Sequence, residues 1–231
     1  VATGHYCRTK EAQLYKGLDA NKDQSYFLSQ INPRVLSKVL FPLGELKKSQ
    51  VREIAHKNNL LVAKKKDSTG ICFIGKRKFS KFVAEYLQAK PGDFKSLDGK
   101  KIGTHQGAHF YTEGQRRQLG LGGPGKRWYV VGKDINKNEV YVTQGDSHPA
   151  LYAQELTASE PTWLVENKFK FPFSCKAKIR YRQSDEACTI HLQADKKVTV
   201  KFARPQRAIS CGQSIAFYQE DLCLGGAKIL A

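Results

Sequence analysis

The hydrophobic period changes once along this chain, and that change constrains the fold more than any other feature. Up to Pro91-Gly92 helical and loop signals alternate, and beyond it the apolar residues recur at every second position. Asn32 suits a helix N-cap and Pro33 the first helical position. Val35, Leu36, Val39 and Leu40 then share one helical face. A second helix is expected from near Ser49, with Val51, Ile54 and Ala55 as its buried stripe. Phe79, Phe82, Val83, Tyr86 and Leu87 fall at i, i+3, i+4, i+7 and i+8, the pattern of a third, amphipathic helix, and Pro91-Gly92 stops it.

Beyond Gly92 the period is two. Trp128-Tyr129-Val130-Val131 and Glu139-Val140-Tyr141-Val142-Thr143 flank Asn136-Lys137-Asn138, which predicts a hairpin. Further alternation follows at Ala177, Ile179 and Tyr181, at Ile190, Leu192 and Ala194, at Val198, Val200 and Phe202, and at Ile215 and Phe217. Several short strands with turn signals imply a small barrel or sandwich. These shifts place boundaries near 76 and 156, with no internal repeat and no low-complexity segment.

Composition narrows the function. The 231 residues carry 39 Lys and Arg against 21 Asp and Glu, a net charge of +18. Such a surplus favours a polyanion: nucleic acid first, an anionic membrane surface second. A generally basic, well-solvated surface is the bland alternative. A membrane-spanning helix needs about 20 apolar residues, whereas the longest purely apolar runs here are a few residues, such as Leu60-Leu61-Val62-Ala63. The six cysteines form no Cys-x-x-Cys pair and no zinc signature. Their even number admits disulfides, but a chain this long does not need stapling. With no hydrophobic leader in the sequence given, a reduced cytoplasmic protein without a structural metal is the expectation. The sequence contains no Met and opens on Val1-Ala2-Thr3-Gly4-His5, which reads as a strand ending in a turn, so a preceding segment is expected.

Several residues offer chemistry. Cys72 is flanked by Lys64, Lys65, Lys66, Lys76, Arg77 and Lys78, and nearby cations lower a thiol pKa. The same cysteine also lies in the apolar run Ile71-Cys72-Phe73-Ile74, where a buried thiol is the plainer reading. His5 follows Gly4 at a strand end, where ligand sites of open α/β sheets collect. Lys22-Asp23-Gln24 puts a cation, a carboxylate and an amide side by side, or makes a solvated helix start. Gly103-Thr104-His105-Gln106-Gly107 and the Gly-rich stretch Leu119-Gly120-Leu121-Gly122-Gly123, beside Arg116-Arg117, either cradle phosphate or turn between strands. No Walker pattern is present. The segment Lys176–Arg182 alternates so that Lys176, Lys178, Arg180 and Arg182 share one solvent face, suited to a phosphate backbone or to protecting a sheet edge. The overall charge tips this toward nucleic acid. No helix is rich in Arg on one face, so groove-reading DNA recognition is not expected.

Taken together, Ala2-Thr3-Gly4-His5-Tyr6, Asn21-Lys22-Asp23-Gln24-Ser25-Tyr26-Phe27-Leu28 and Lys66-Asp67-Ser68-Thr69-Gly70-Ile71-Cys72-Phe73-Ile74-Gly75 resemble the tRNA-specific 2-thiouridylases. So do His105-Gln106-Gly107, Gly114-Gln115-Arg116, Trp128-Tyr129-Val130-Val131 and Gln144-Gly145. The resemblance continues through Lys178-Ile179-Arg180-Tyr181-Arg182-Gln183, Ala208, Gly212-Gln213-Ser214 and Cys223-Leu224-Gly225-Gly226. The family's PP-loop and its first catalytic cysteine have no counterpart here, so the chain looks like the C-terminal two-thirds of such an enzyme. His109 and Glu113 depart from the family's apolar residues.

The resemblance implies a multi-domain α/β plus β architecture. Residues 1–75 would be the tail of an α/β nucleotide-binding domain, 76–155 a small mostly-β central domain, and 156–231 a C-terminal β-barrel that binds tRNA. It implies that ATP, with Mg2+, adenylates the C2 carbonyl oxygen of the wobble uridine, and that sulfur then replaces that oxygen. Cys72 matches the cysteine that carries the sulfur as a persulfide, loaded by a cysteine desulfurase or a relay protein. Gly4 matches a backbone contact to ATP. His5, Lys22, Asp23, Gln24, Arg180, Tyr181 and Gln213 match tRNA-contacting positions. Arg180 and Tyr181 are adjacent, so both reach RNA only if the strand ends, twists or bulges there. A non-catalytic RNA-binding protein is the alternative that composition fits equally well.

Overall fold

The computed structural model describes residues 1–64, 82, 85–166 and 169–230. They are mostly β, with few helices, and divide into two compact units. Unit 1 comprises 1–65, 154–206 and 211–231, and unit 2 comprises 66–153 and 207–210.

Unit 1 is built on a long mixed-order sheet. A hairpin of β1 (Cys7–Lys10) and β2 (Gln13–Lys16) opens it. A short helix α1 (Ser25–Leu28), a 3-10 turn (Pro33–Lys38) and a helix α2 (Lys48–Lys57) follow. In unit 2 come β3 (Gly92–Lys95), β4 (Lys101–His105), β5 (Trp128–Asp134) and β6 (Glu139–Gln144). The chain then forms β7 (Tyr152–Ala158), β8 (Thr162–Trp163), β9 (Phe173–Lys178) and β10 (Glu186–Leu192). Last come β11 (Val198–Arg207), β12 (Ser214–Gln219) and β13 (Leu222–Lys228).

The sheet order β1-β2-β13-β12-β9-β10-β11-β7 puts the first hairpin beside the last strand, through Tyr15 opposite Leu222. β8 pairs with β13 opposite Gly225 and Gly226. The glycines at this crossing have a steric cause. A Cβ on Gly225, whose φ is +147°, would fall 2.1 Å from the Thr162 carbonyl oxygen, and one on Gly226 would fall 2.5 Å from Ser29 Oγ. Cys7, Leu14, Tyr26, Leu36, Leu164, Ala216, Tyr218 and Cys223 form the core beneath α1.

The Asn32 cap is present, its side chain accepting from the Arg34 N–H at 3.0 Å, but it opens a 3-10 turn rather than an α-helix. Only Leu36 is buried there, while Val35 and Leu40 stay exposed. The helix expected near Ser49 forms as α2, yet none of its residues is buried and Ile54 is 47% exposed. Val51 and Ala55 of its apolar stripe are only half-buried. Of the helix expected over Phe79–Leu87, residues 82 and 85–87 are described. The Phe82 and Tyr86 rings lie 5.2 Å apart, but Tyr86 and Leu87 are exposed and 85–87 form a turn and bend. The rest lies outside the described residues.

Unit 2 carries the four-stranded sheet β4-β3-β6-β5, including the expected β5–β6 hairpin. A register shift sits between Val130 and Gly132. Phe94, Val130, Val140, Val142, Ala108, Tyr111 and Leu119 fill its core. His105 is 5% exposed, set against the rings of Phe94 and Tyr111, and its Nδ1 accepts the Gly107 N–H at 3.0 Å. Gly103–His105 therefore ends β4, and the turn that follows at Gln106-Gly107 is tied by a core histidine. His109 lays its ring on Phe110, with centroids 4.1 Å apart.

Candidate functional site

α1 is only one turn long, and long-range bonds rather than helix propensity hold it. The Gln24 N–H donates to the Tyr6 carbonyl at 3.0 Å, and the Tyr6 N–H donates to Gln24 Oε1 at 3.0 Å. This reciprocal pair joins the His5 segment to the Lys22-Asp23-Gln24 segment. At the other side, Tyr26 donates its hydroxyl to the Ser214 carbonyl at 2.8 Å and lies 3.2 Å from the Ile179 carbonyl oxygen. Gln30 Nε2 donates to Ser214 Oγ at 2.8 Å. Ser214 follows Gln213, and Ile179 precedes Arg180. Four stretches distant in sequence thus meet around α1.

Beside them lies a pocket of about 510 Å³, whose lining includes Lys16, Asp23, Tyr26, Lys178, Tyr181 and Arg182. Its inner wall is an ion network. Lys178 Nζ lies 3.4 Å from both Asp23 Oδ2 and Asp185 Oδ1, and Lys16 also pairs with Asp185. Both ammonium groups stand over the Tyr218 ring, at 4.8 Å for Lys16 and 5.2 Å for Lys178. The side chain of Asp23 is 4% exposed. It accepts the Gly17 and Ser25 N–H groups at 3.1 Å each and the Ser25 hydroxyl at 3.0 Å. Buried charges persist when they are paired and hydrogen-bonded in this way.

The expected solvent face of four cations is therefore corrected at Lys178. Its side chain is 12% exposed and is spent on Asp23 and Asp185. Lys176 and Arg182 are exposed, and Arg180 is half-buried. The strand itself stops at Lys178, and Arg182 takes φ +66°, so Arg180 and Tyr181 sit on a turn and not on a pleated strand. That removes the opposite-face conflict of two adjacent strand residues.

Tyr181 packs on Phe27 at 4.5 Å between centroids and carries the Arg182 guanidinium at 5.5 Å. Its ring is already engaged. Phe27, 54% exposed at the same place, is the aromatic with free surface, and the sequence marks it only as one member of the Asn21–Leu28 string, with no role attached. A helix of one turn has no periodicity that would mark it.

The remaining expected positions fall as follows. Gly4 is exposed, and a Cβ there would meet only Leu43 Cδ1, at 3.9 Å. His5 is half-buried, with Nδ1 2.7 Å from Thr3 Oγ1. The Lys22 N–H donates to the Asp19 carbonyl at 2.9 Å. Gln24 is half-buried, its amide oxygen already accepting from Tyr6. Gln213 is exposed. Cys72 and its cationic flanks lie outside the described residues, apart from Lys64. Among the described cysteines, burial pushes the Cys7 thiol far up and that of Cys223 to about 12. Cys175 is raised too, first by its contact with Cys188, their sulfurs 3.7 Å apart across β9 and β10, and then by burial. Among the described residues no group of three metal-ligating side chains occurs, and no helix is long and apolar enough to cross a membrane.

Comparison with known proteins adds three family models, matching in chain order. They are described as a tRNA methyl transferase HUP domain at residues 1–76, a tRNA methyl transferase PRC-barrel domain at 80–144, and an aminomethyltransferase beta-barrel domain at 153–229. Among curated relatives, the chain is 51% identical over 234 residues to the tRNA-specific 2-thiouridylase MnmA of Protochlamydia amoebophila and 52% identical over 233 residues to that of Halalkalibacterium halodurans. It is 50% identical over 233 residues to that of Listeria welshimeri. Each match covers 99% of this chain, and the chain spans 62% or 63% of the relatives' length.

Proposed function

This chain belongs to the tRNA-specific 2-thiouridylase family, and from that premise we propose that it is the tRNA-gripping and sulfur-handing part of an enzyme that thiolates the wobble uridine of tRNA. The family models' descriptions name methyl transfer. The relatives, aligned over nearly the whole chain, name thiolation, and they outweigh descriptions attached to single domains.

The observation that carries the reading is the convergence around α1. The segments of His5, Lys22-Asp23-Gln24, Arg180-Tyr181 and Gln213 are drawn together by the Tyr6–Gln24 and Tyr26–Ser214 bonds. Exposed Phe27 and Arg182 at this place suit RNA: a free aromatic face for a base and a cation for phosphate. Extruding a wobble base from its stack costs a few kcal/mol, and contacts elsewhere on the tRNA offset that cost. Asp23 and Gln24 act in this reading by holding the platform in shape, since both side chains are already bonded within the chain.

ATP, with Mg2+, would supply adenylation of the uridine C2 carbonyl oxygen, making it a leaving group that sulfur can displace. The exposed Gly4 backbone, with nothing closer than 3.9 Å to an added Cβ, fits the close approach of a nucleotide. Cys72 would carry the incoming sulfur as a persulfide, received from a cysteine desulfurase or relay protein. Burial of Cys7 and Cys223 keeps those thiols protonated and leaves them no part in the transfer.

The test is Cys72→Ser in the complete enzyme. Thiolation should disappear while tRNA affinity stays within about twofold. Near-normal 2-thiouridine formation by that variant would sink the reading.

A further inference from the structure

Unit 2 carries a cationic surface that the proposed reaction does not use. Two adjacent pockets, of about 480 and 530 Å³, share Arg116 in their lining. The Gly-rich loop 114–128 borders the larger one with Arg117, Lys126 and Arg127. Arg207 borders the smaller, its guanidinium 5.1 Å from the Tyr129 ring centroid, with Asp146 as the one acid in that lining.

None of these five cations makes an ion pair among the described residues, whereas Lys95, Lys101 and Lys137 of the same unit all do. The loop backbone is open as well. Gly122 does not have the positive φ of its neighbours Gly120 and Gly123, and a Cβ on it would meet nothing within 4 Å. The fold itself gives no reason for glycine at 122; a ligand pressing against the main chain would. An exposed, glycine-opened main chain ringed by guanidinium and ammonium groups is the chemistry that takes phosphate oxygens.

We infer that loop 114–128, with Arg116, Lys126, Arg127 and Arg207, is a second RNA-backbone site that binds phosphodiester groups without reading base sequence. The inference rests on RNA being the partner of this chain. The test uses the 231-residue chain with two probes, an unmodified tRNA transcript and a 20-base-pair RNA duplex lacking any anticodon loop, titrated by filter binding at several KCl concentrations. The triple change Arg116→Gln/Lys126→Gln/Arg127→Gln alters exposed side chains only. It should lower the log–log salt slope by about 2–3 for both RNAs, since each phosphate no longer neutralised removes roughly 0.7–0.9. Gly122→Val should leave the melting temperature unchanged and weaken binding to both about tenfold. Unchanged slopes and affinities in both variants overturn this site and leave the proposed function standing. An unaltered chain that binds neither RNA overturns both.

Discussion

Asp23 and Lys178 stand 155 residues apart in sequence, yet their charged atoms lie 3.4 Å apart in a pocket wall where their side chains are 4% and 12% exposed. This pairing turns two residues that look like nucleic-acid ligands into parts of the frame. Asp23→Ala would leave Lys178 short of a counter-charge and two backbone N–H groups without an acceptor. Removing one partner of a buried pair costs about 3–5 kcal/mol. Thermal melting should fall well below that of the unaltered chain. Asp23→Asn, which keeps an amide oxygen for Gly17 and Ser25, should lose less. Equal melting temperatures for Asp23→Ala and the parent would contradict the structural role.

The same pairing separates two cations that the sequence treats alike. Arg180→Ala should weaken tRNA binding and flatten its salt dependence by roughly 0.7–0.9 in log–log slope. Lys178→Gln should leave the slope where it was, because an internally neutralised ammonium releases no counterion from RNA. Titrations across salt concentrations distinguish the two; a flattened slope for Lys178→Gln would show that its ammonium faces the ligand.

Phe27→Ala should weaken tRNA binding by about 1–3 kcal/mol with no change in salt slope, as the loss of a base-stacking surface does. Melting should hardly move, because the ring is 54% exposed. If affinity is retained, the exposed ring has no ligand.

Much of the fold is readable from the chain, and what is not has identifiable causes. The β5–β6 hairpin and strands β10 and β11 follow from period-two patterning, with Ile190, Val198, Val200 and Phe202 buried. The expected alternation fails at Leu192, which is 53% exposed where β10 ends, and in β12, where Ile215 through Tyr218 are all buried because both faces are covered. The apolar stripe of α2 is equally visible in sequence, but period states which face is apolar and not what covers it; Ile54 remains exposed. Lys178 shows the opposite failure. Alternation fixes the side of the sheet, while the burial of that side depends on Asp23 and Asp185, which arrive from elsewhere. Phe27 escapes notice because a one-turn helix has no periodicity to break.

Acid should weaken unit 2 through His105. Burial lowers its pKa below the ordinary 6.5, and its Nδ1 is occupied as an acceptor for the Gly107 N–H. The unfolded chain therefore takes up a proton first as the pH drops, and stability present above about pH 6.5 is lost below it. Urea midpoints between pH 8 and 5 should decline for the parent and decline less for His105→Gln. Parallel curves would show that His105 does not titrate in this window.

The seating of β2 against β13 has a consequence for synthesis. Arg8 bonds Asp221 across 213 residues of chain, at 2.8 Å. At roughly 5–20 residues per second the ribosome releases the second partner about 10–40 s after the first. The β1–β2 hairpin waits through that interval with an unsatisfied edge and an uncovered Leu14, which makes it the stage of synthesis most exposed to edge-to-edge aggregation.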